Sequence, residues 1–118
     1  SSSSTSGISS YAVTDTVGIA LDLTNNFIYY HKNGTWQKSG VPTSGATGTG
    51  GRAVTSGETW LPFVTTHAGG FDMNFGNGYF GSTAISSPYS DGAGLGKFQY
   101  QPPTGYYALC TKNINTYG

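Results

Sequence analysis

An antiparallel all-β fold is predicted for this 118-residue chain by three observations. Apolar residues alternate with small or polar ones from Val17 to Leu23, the period of a strand with one buried face. The pair Asn33-Gly34 is typical of a type I′ hairpin turn, which needs positive φ at both central positions. Aromatic residues make 14% of a chain that is otherwise rich in Gly, Ser and Thr, which suits strands and turns better than helices.

The first half of the chain is predicted to be a loop followed by a three-stranded meander. Residues 1–10 are a Ser/Thr/Gly run, and the first strand begins at Val17. Thr24 to Asn26 supply a turn, because Asn tolerates positive φ. A second strand runs from Phe27 to Lys32 with His31 facing outward, and a third begins at Thr35. The residues predicted to point into the core are Val17, Ile19, Leu21, Ile28 and Tyr30.

Two further strands and two long loops are predicted in the second half. The strands are Trp60 to Thr66 and Phe71 to Phe75, and in the second one Phe71, Met73 and Phe75 are expected to point inward. Residues 43–57 and 81–96 are rich in Gly, Ser, Thr and Ala, and loops of that length are often functional or mobile. We expect both loops to bury little surface.

Composition excludes several function classes. Charged residues are only 8%, five basic and five acidic, so the chain lacks the cationic surplus that binds nucleic-acid phosphates or anionic membranes. Cys110 is the single cysteine, which excludes an intrachain disulfide and a cysteine zinc cluster. No apolar run approaches the ~20 residues of a membrane span, and no signal-peptide pattern is present.

Four blocks of the sequence resemble SPRY domains in the order that the family has them. Thr16 to Trp36, TVGIALDLTNNFIYYHKNGTW, is similar to the central SPRY hairpin. Trp60 to Val64 and Phe71 to Phe80 resemble the segments that follow it. Phe98 to Ile114, FQYQPPTGYYALCTKNI, resembles the ending of SPRY-like domains in bacteriophage structural proteins.

The resemblance implies a two-sheet, concanavalin-like jelly-roll sandwich that is incomplete at its N-terminus. Residues 1–15 would be a loop or linker from an upstream part of the domain, residues 16–114 its C-terminal portion, and residues 115–118 a tail. The family's N-terminal strands have no counterpart here. Upstream residues of the same protein or another chain would supply them.

No enzymatic activity, cofactor or metal site is predicted. Asp22 and Asp72 are expected to face solvent from strands rather than to form the carboxylate pair of a glycosidase. His31 and His67 have no nucleophile motif near them, and we expect both at the surface. The oxygens of Asp22, Asp72 and the neighbouring asparagines could serve Ca²⁺, but turn chemistry accounts better for the asparagines.

Ligand binding is the function that the residues favour. Tyrosine among Ser, Gly and Asn is the composition of loop-built recognition surfaces, because Tyr offers a large contact area at low entropic cost. Tyr79 and Phe80 could equally belong to the core. The candidate ligand-binding residues are Trp36, Tyr79, Phe80, Tyr89 and Tyr106.

The resemblance implies a virion structural or adhesion module, on a capsid surface or tail fibre, that presents loops to a host-surface glycan or protein. Two alternatives stay open: a purely structural assembly module that contacts neighbouring subunits, and a lectin-like accessory domain of a carbohydrate-active protein. The expected partners are other virion subunits or the missing strands, in an oligomeric assembly, without nucleic acid or membrane. The expected location is the virion, made in the host cytoplasm, or the extracellular space.

Overall fold

The computed structural model describes residues 10–55, 72–109 and 112. In residues 10–55 and 72–109 the regular structure consists of antiparallel strands and two single-turn 3-10 helices, Gln37–Ser39 and Gly45–Thr47, which confirms the all-β class. The chain divides into two compact units, Ser1–Ser56 and Gly57–Gly118. No helix in the described part is long and apolar enough to cross a membrane.

The first unit contains one antiparallel sheet. Its strands are β1 (Val17–Asp22), β2 (Phe27–Lys32), β3 (Thr35–Trp36) and β4 (Arg52–Ala53). The sheet has the order β1-β2-β3, and β4 also pairs with β2. β2 is therefore the central strand, and among the described residues β1 has a neighbour on one side only.

Both predicted turns of this sheet form. Asn33 and Gly34 have φ values of 49° and 87° and join Lys32 to its partner Thr35, which confirms the two-residue hairpin. The β1–β2 turn is held by the Asp22 carboxylate, whose Oδ1 accepts the N–H of Thr24 at 2.9 Å and that of Asn25 at 3.0 Å.

The buried face of the sheet is opposite to the predicted one. Ala20 pairs with Tyr29, which is 1% exposed and is the largest fully buried side chain among the described residues. On the other face Val17 is 42% and Ile19 58% exposed, so the prediction that their row points into the core is wrong. His31, predicted to face outward, lies half-buried on the packed face.

Small residues explain this choice of face. A Cβ built on Gly18 would overlap the His31 ring, so only glycine leaves room for that ring across the β1–β2 pair. The chain after β3 then folds over the same face. Gly51 lies against the Tyr29 ring, and Gly48 against Phe27.

The described part of the predicted long loop, residues 43–55, therefore packs against the core of the first unit. The Tyr29 hydroxyl and Ser44 Oγ lie 3.3 Å apart in a hydrogen bond, and Ser44 Oγ also accepts the Thr49 N–H at 2.9 Å. Within this segment, Arg52 of β4 pairs with Ile28 of β2. The expectation that this loop buries little surface is wrong.

The second unit contains a hairpin and an isolated bridge. The strands β5 (Tyr79–Phe80) and β6 (Thr83–Ala84) pair in antiparallel fashion, and Tyr89 forms a single antiparallel bridge with Phe98. The predicted strand Trp60 to Thr66, with His67, Phe71 and Cys110, lies outside the described residues.

Residues 72–75, the described part of the predicted strand Phe71 to Phe75, form no strand and do not pack into a core. Met73 and Phe75 are both exposed, so their predicted inward orientation is wrong. Asn74 is the cause, because its side chain ties the chain into a bend. Asn74 Oδ1 accepts the Gly76 N–H at 2.7 Å, while Asn74 Nδ2 donates to the Lys97 carbonyl at 2.9 Å.

Candidate binding surface

Tyr89 combines an exposed side chain with a fixed backbone. Its N–H donates to the Phe98 carbonyl at 2.8 Å, and its own carbonyl accepts the Phe98 N–H at 2.8 Å. The ring is nonetheless 47% exposed. A side chain presented from a hydrogen-bonded base loses less freedom on binding than one on an unpaired loop, so Tyr89 suits ligand contact.

Hydrogen bonds on both sides of Tyr89 extend this base. Ser90 Oγ donates to the Gly96 carbonyl at 2.9 Å. Gln101 Nε2 donates to the Ser90 carbonyl at 3.0 Å. The segment that carries Tyr89 is thus joined to residues 96–101 through side chains as well as through the bridge.

The buried carboxylate of Asp91 closes the same loop. Its Oδ1 accepts the N–H groups of Ala93 and Leu95, both at 2.9 Å, and its Oδ2 accepts the N–H of Ala108 at 2.8 Å. Asp91 is 6% exposed. One side chain therefore shapes the turn at residues 91–95 and fixes it to the segment that contains Tyr106.

Tyr79 and Phe80 differ in accessibility although they are neighbours in β5. Tyr79 is exposed and Phe80 half-buried, so the even choice between core and surface resolves differently for the two. Asn77 Oδ1 accepts the Tyr79 N–H at 3.2 Å, and the Gly78 carbonyl accepts the Ile85 N–H at 2.9 Å. Tyr79 is thus a second tyrosine presented from a hydrogen-bonded hairpin.

Tyr106 is half-buried, and the adjacent Tyr107 is exposed. The Pro103 carbonyl accepts the Tyr106 N–H at 3.0 Å, so a tight turn positions the pair. Of these two, Tyr107 is the one that offers its ring to solvent, although Tyr106 is the predicted ligand-binding residue.

Trp36 belongs to the packed face of the first unit. Its ring is half-buried and meets the His31 ring edge-on, with centroids 4.9 Å apart at 87°. His31 Nδ1 accepts the Gly34 N–H at 3.2 Å, and burial lowers the pKa of His31 below its usual 6.5. Trp36 therefore holds the base of the hairpin together and offers a ligand less of its ring than Tyr79 or Tyr89 does.

An ionic cluster ties the start of β1 to the hairpin. Lys32 Nζ lies 3.4 Å from Asp15 Oδ2, and Asn33 Nδ2 donates to Asp15 Oδ1 at 2.8 Å. The N–H of Ala12, above all, and then the amide of Asn33 lower the pKa of Asp15. These charges satisfy each other at the surface and form no charged patch for a ligand.

Asp22 and Asp72, the aspartates considered for catalysis or metal binding, have different surroundings. Both Asp22 oxygens accept hydrogen bonds within their own turn, while Asp72 is exposed beside Gly81 in the second unit. In residues 10–55 and 72–109 no group of three or more His, Cys, Asp or Glu side chains is placed to hold a metal ion.

Two exposed apolar residues, Met73 and Phe75, were not predicted for this surface. The sequence signal for this bend was the pair Gly76 and Gly78, because glycine in a strand pattern marks a bend. In the structure both glycines adopt positive φ. Among the described residues of the second unit, the large exposed aromatic and apolar side chains are Met73, Phe75, Tyr79, Tyr89, Tyr107 and Leu109.

Comparison with protein-family models, curated proteins and solved structures found no match to this chain. The resemblance to SPRY domains therefore stays a prediction that rests on the four sequence blocks. Any function has to be argued from the residues themselves.

Proposed function

We propose that this chain is a non-enzymatic recognition module that binds a host-surface glycan or protein through its loop tyrosines, Tyr79 and Tyr89. The single observation that carries the proposal is the combination found at Tyr89, an exposed ring on a doubly hydrogen-bonded backbone. Tyr107 is a third exposed tyrosine of the second unit.

The chemistry of these side chains suits an uncharged ligand. Tyrosine buries a large apolar ring and also offers a hydroxyl, so it can stack on the apolar face of a sugar ring and hydrogen-bond to its edge. With 8% charged residues and no net charge, few ion pairs can contribute to binding. We therefore expect affinity that depends weakly on salt concentration.

The wider setting of this function is also part of the proposal. We place the all-β chain in a SPRY-like, two-sheet jelly-roll sandwich of a bacteriophage capsid-surface or tail-fibre protein, on the virion or in the extracellular space. The support is the four sequence blocks that resemble such domains together with the antiparallel strands of both units. Fold does not fix function, so the tyrosines carry the functional argument.

Assembly with neighbouring subunits is the second candidate, favoured by a separate observation. Val17 and Ile19 expose apolar side chains from an ordered strand of the first unit. Contiguous exposed apolar surface marks sites of protein association.

Ligand binding is tested with the full chain on a glycan array and on host cells, at low and high salt. Tyr79→Ala and Tyr89→Ala should each weaken binding about tenfold without loss of folding, as expected for a central aromatic contact. Tyr11→Ala is the matched control, because Tyr11 is an exposed tyrosine of the first unit, at 57% against 47% for Tyr79 and Tyr89. Binding that survives both loop substitutions, or that is lost at high salt, would contradict the proposal.

A further inference from the structure

Among the residues that the structure describes, β1 pairs on one side only, and its other backbone edge is open. The Asn33 N–H donates to the Thr16 carbonyl at 2.8 Å, which makes these two residues a hydrogen-bonded pair. Hydrogen-bonded and non-hydrogen-bonded pairs alternate along an antiparallel ladder. The β1 residues that bond to β2 are therefore Gly18, Ala20 and Asp22. The residues whose N–H and C=O groups point away from β2 are Val17, Ile19 and Leu21.

The register of the other strands agrees with this assignment. The Val54 N–H donates to the Asn26 carbonyl at 2.9 Å, so Ile28, two residues on, bonds toward β4. Phe27, Tyr29 and His31 are then left to bond toward β1. None of the residues that the structure describes pairs with the far edge of β1.

This edge lacks the devices that usually keep sheet edges from pairing. Natural edge strands carry lysine, proline, a bulge or an inward charge, whereas β1 reads VGIALD and has one charged residue, Asp22. The Asp22 carboxylate is occupied by its own turn. The side chains beside the open edge are apolar and exposed at Val17 and Ile19.

We propose that two copies of this chain pair through β1, antiparallel, about a two-fold axis at Ile19. In that register Ile19 lies opposite Ile19 of the second copy, and Val17 lies opposite its Leu21. All three outward-pointing residues then form hydrogen-bonded pairs, about six backbone bonds in all. The two sheets become one continuous sheet across the axis.

Side chains on both faces fit this register. On the exposed face, Ile19 meets Ile19 and Val17 meets Leu21 across the new strand pair, so apolar side chains pack against each other. On the packed face Gly18 lies opposite Ala20 of the second copy, so no bulky groups collide. Because the chain has no net charge, no overall repulsion opposes the association of two copies.

The association is expected to be weak. Stable dimers bury about 800 Å² on each partner, and a single six-residue edge buries less than that. The inference gives the assembly candidate a partner and a register, and it does not depend on ligand recognition by the tyrosines. Failure of pairing would leave glycan or protein binding untouched.

The test is sedimentation velocity of the full chain over a concentration range up to about 1 mM, where edge contacts of this size associate. The wild-type chain should show a mass that rises toward a dimer. Ile19→Lys should weaken self-association at least about tenfold, because like charges then lie directly opposite each other. Ile19 is 58% exposed, so the substitution leaves folding intact, as circular dichroism would verify.

Leu23→Lys is the matched control, since Leu23 is 57% exposed but lies past the end of β1. It should associate like the wild type. The register is tested by mixing Ile19→Lys with Ile19→Glu. Each variant alone should stay monomeric, and the mixture should recover the dimer, because position 19 meets itself only in the two-fold register.

A chain that stays monomeric at all concentrations would overturn the proposal. So would a dimer that Ile19→Lys leaves unchanged, or a mixture of the two variants that stays monomeric. An edge that binds an unrelated protein would leave the chain monomeric at all concentrations. Face-to-face packing of the sheets that does not bring position 19 next to itself would leave the mixture monomeric.

Discussion

Removing the Asp91 carboxylate should destabilise the second unit more than any other aspartate substitution in the described part of the chain. Asp91→Ala deletes the acceptor for three backbone N–H groups, those of Ala93, Leu95 and Ala108. The three N–H groups differ in how easily water can replace the carboxylate as their hydrogen-bond acceptor. Their burial therefore sets the size of the effect.

Ala108 contributes most. It is 6% exposed, so water cannot easily replace the carboxylate there, and a buried unsatisfied donor costs about 1–3 kcal/mol. Ala93 and Leu95 are half-buried, and their N–H groups each lose about 0.5–1.5 kcal/mol net. The free energy of unfolding should fall by about 2–6 kcal/mol, which lowers the Tm by roughly 8–24 °C for a chain of this size.

Thermal unfolding of the full chain, followed by circular dichroism, measures this loss. Asp72→Ala is the control, because Asp72 is exposed and surface substitutions usually change stability by less than about 0.5 kcal/mol. Asp91→Asn should fall between the two, since its amide oxygen can still accept from Ala93 and Leu95 but its NH₂ group faces the Ala108 N–H. Equal Tm values for Asp91→Ala and Asp72→Ala would refute the structural role of this carboxylate.

Three further outcomes are expected. Gly34→Ala should cost about 1–2 kcal/mol, because Gly34 has a φ of 87° and side chains are strained there. Gly92→Ala should be neutral in the same urea titration, because an added Cβ would meet only the Tyr107 ring, at an ordinary contact distance of 3.9 Å. His31 should titrate below pH 6.5 in an NMR experiment, assigned with His31→Gln. Since its folded pKa is lowered, its contribution to stability is complete above pH 6.5 and is lost as the pH falls through the folded pKa. The pKa of Asp15 is lowered from 3.8, so the free energy of unfolding should fall a second time as the pH drops below 3.8. This second fall should be absent in Asp15→Asn. A free energy of unfolding that stays constant below pH 6.5 and below pH 3.8 would contradict both assignments.

The hairpin could be predicted from sequence because its signal is local. Asn33 and Gly34 both adopt positive φ, as a type I′ turn requires, and the alternation from Val17 onward located β1. Period-two alternation identifies a strand and separates its faces. It does not say which face is buried, and here the large apolar row of Val17 and Ile19 is the exposed one.

The buried face depends on contacts between residues far apart in sequence. Gly18 admits the His31 ring, and Gly51 lies against Tyr29, so glycines that read as weak strand or loop residues create the space for the aromatic rings. In the second unit, Asn74 and Asp91 hold loops through side-chain bonds to backbone N–H groups. Such bonds follow from no periodicity, and a single Asn or Asp in a glycine-rich segment reads as turn chemistry only.

The two units pack in different ways, and each way accounts for one of the two proposals. Because the first unit fills its packed face with aromatic rings against glycines, the apolar side chains of Val17 and Ile19 are left for association. Because the second unit closes its loops with polar side chains, Tyr79 and Tyr89 are left for contact with a ligand. Association and ligand binding then use different residues on different units, so Ile19→Lys should leave binding unchanged and Tyr89→Ala should leave self-association unchanged. A loss of both properties in either variant would mean that the two surfaces are coupled, and the separation argued from these side chains would fail.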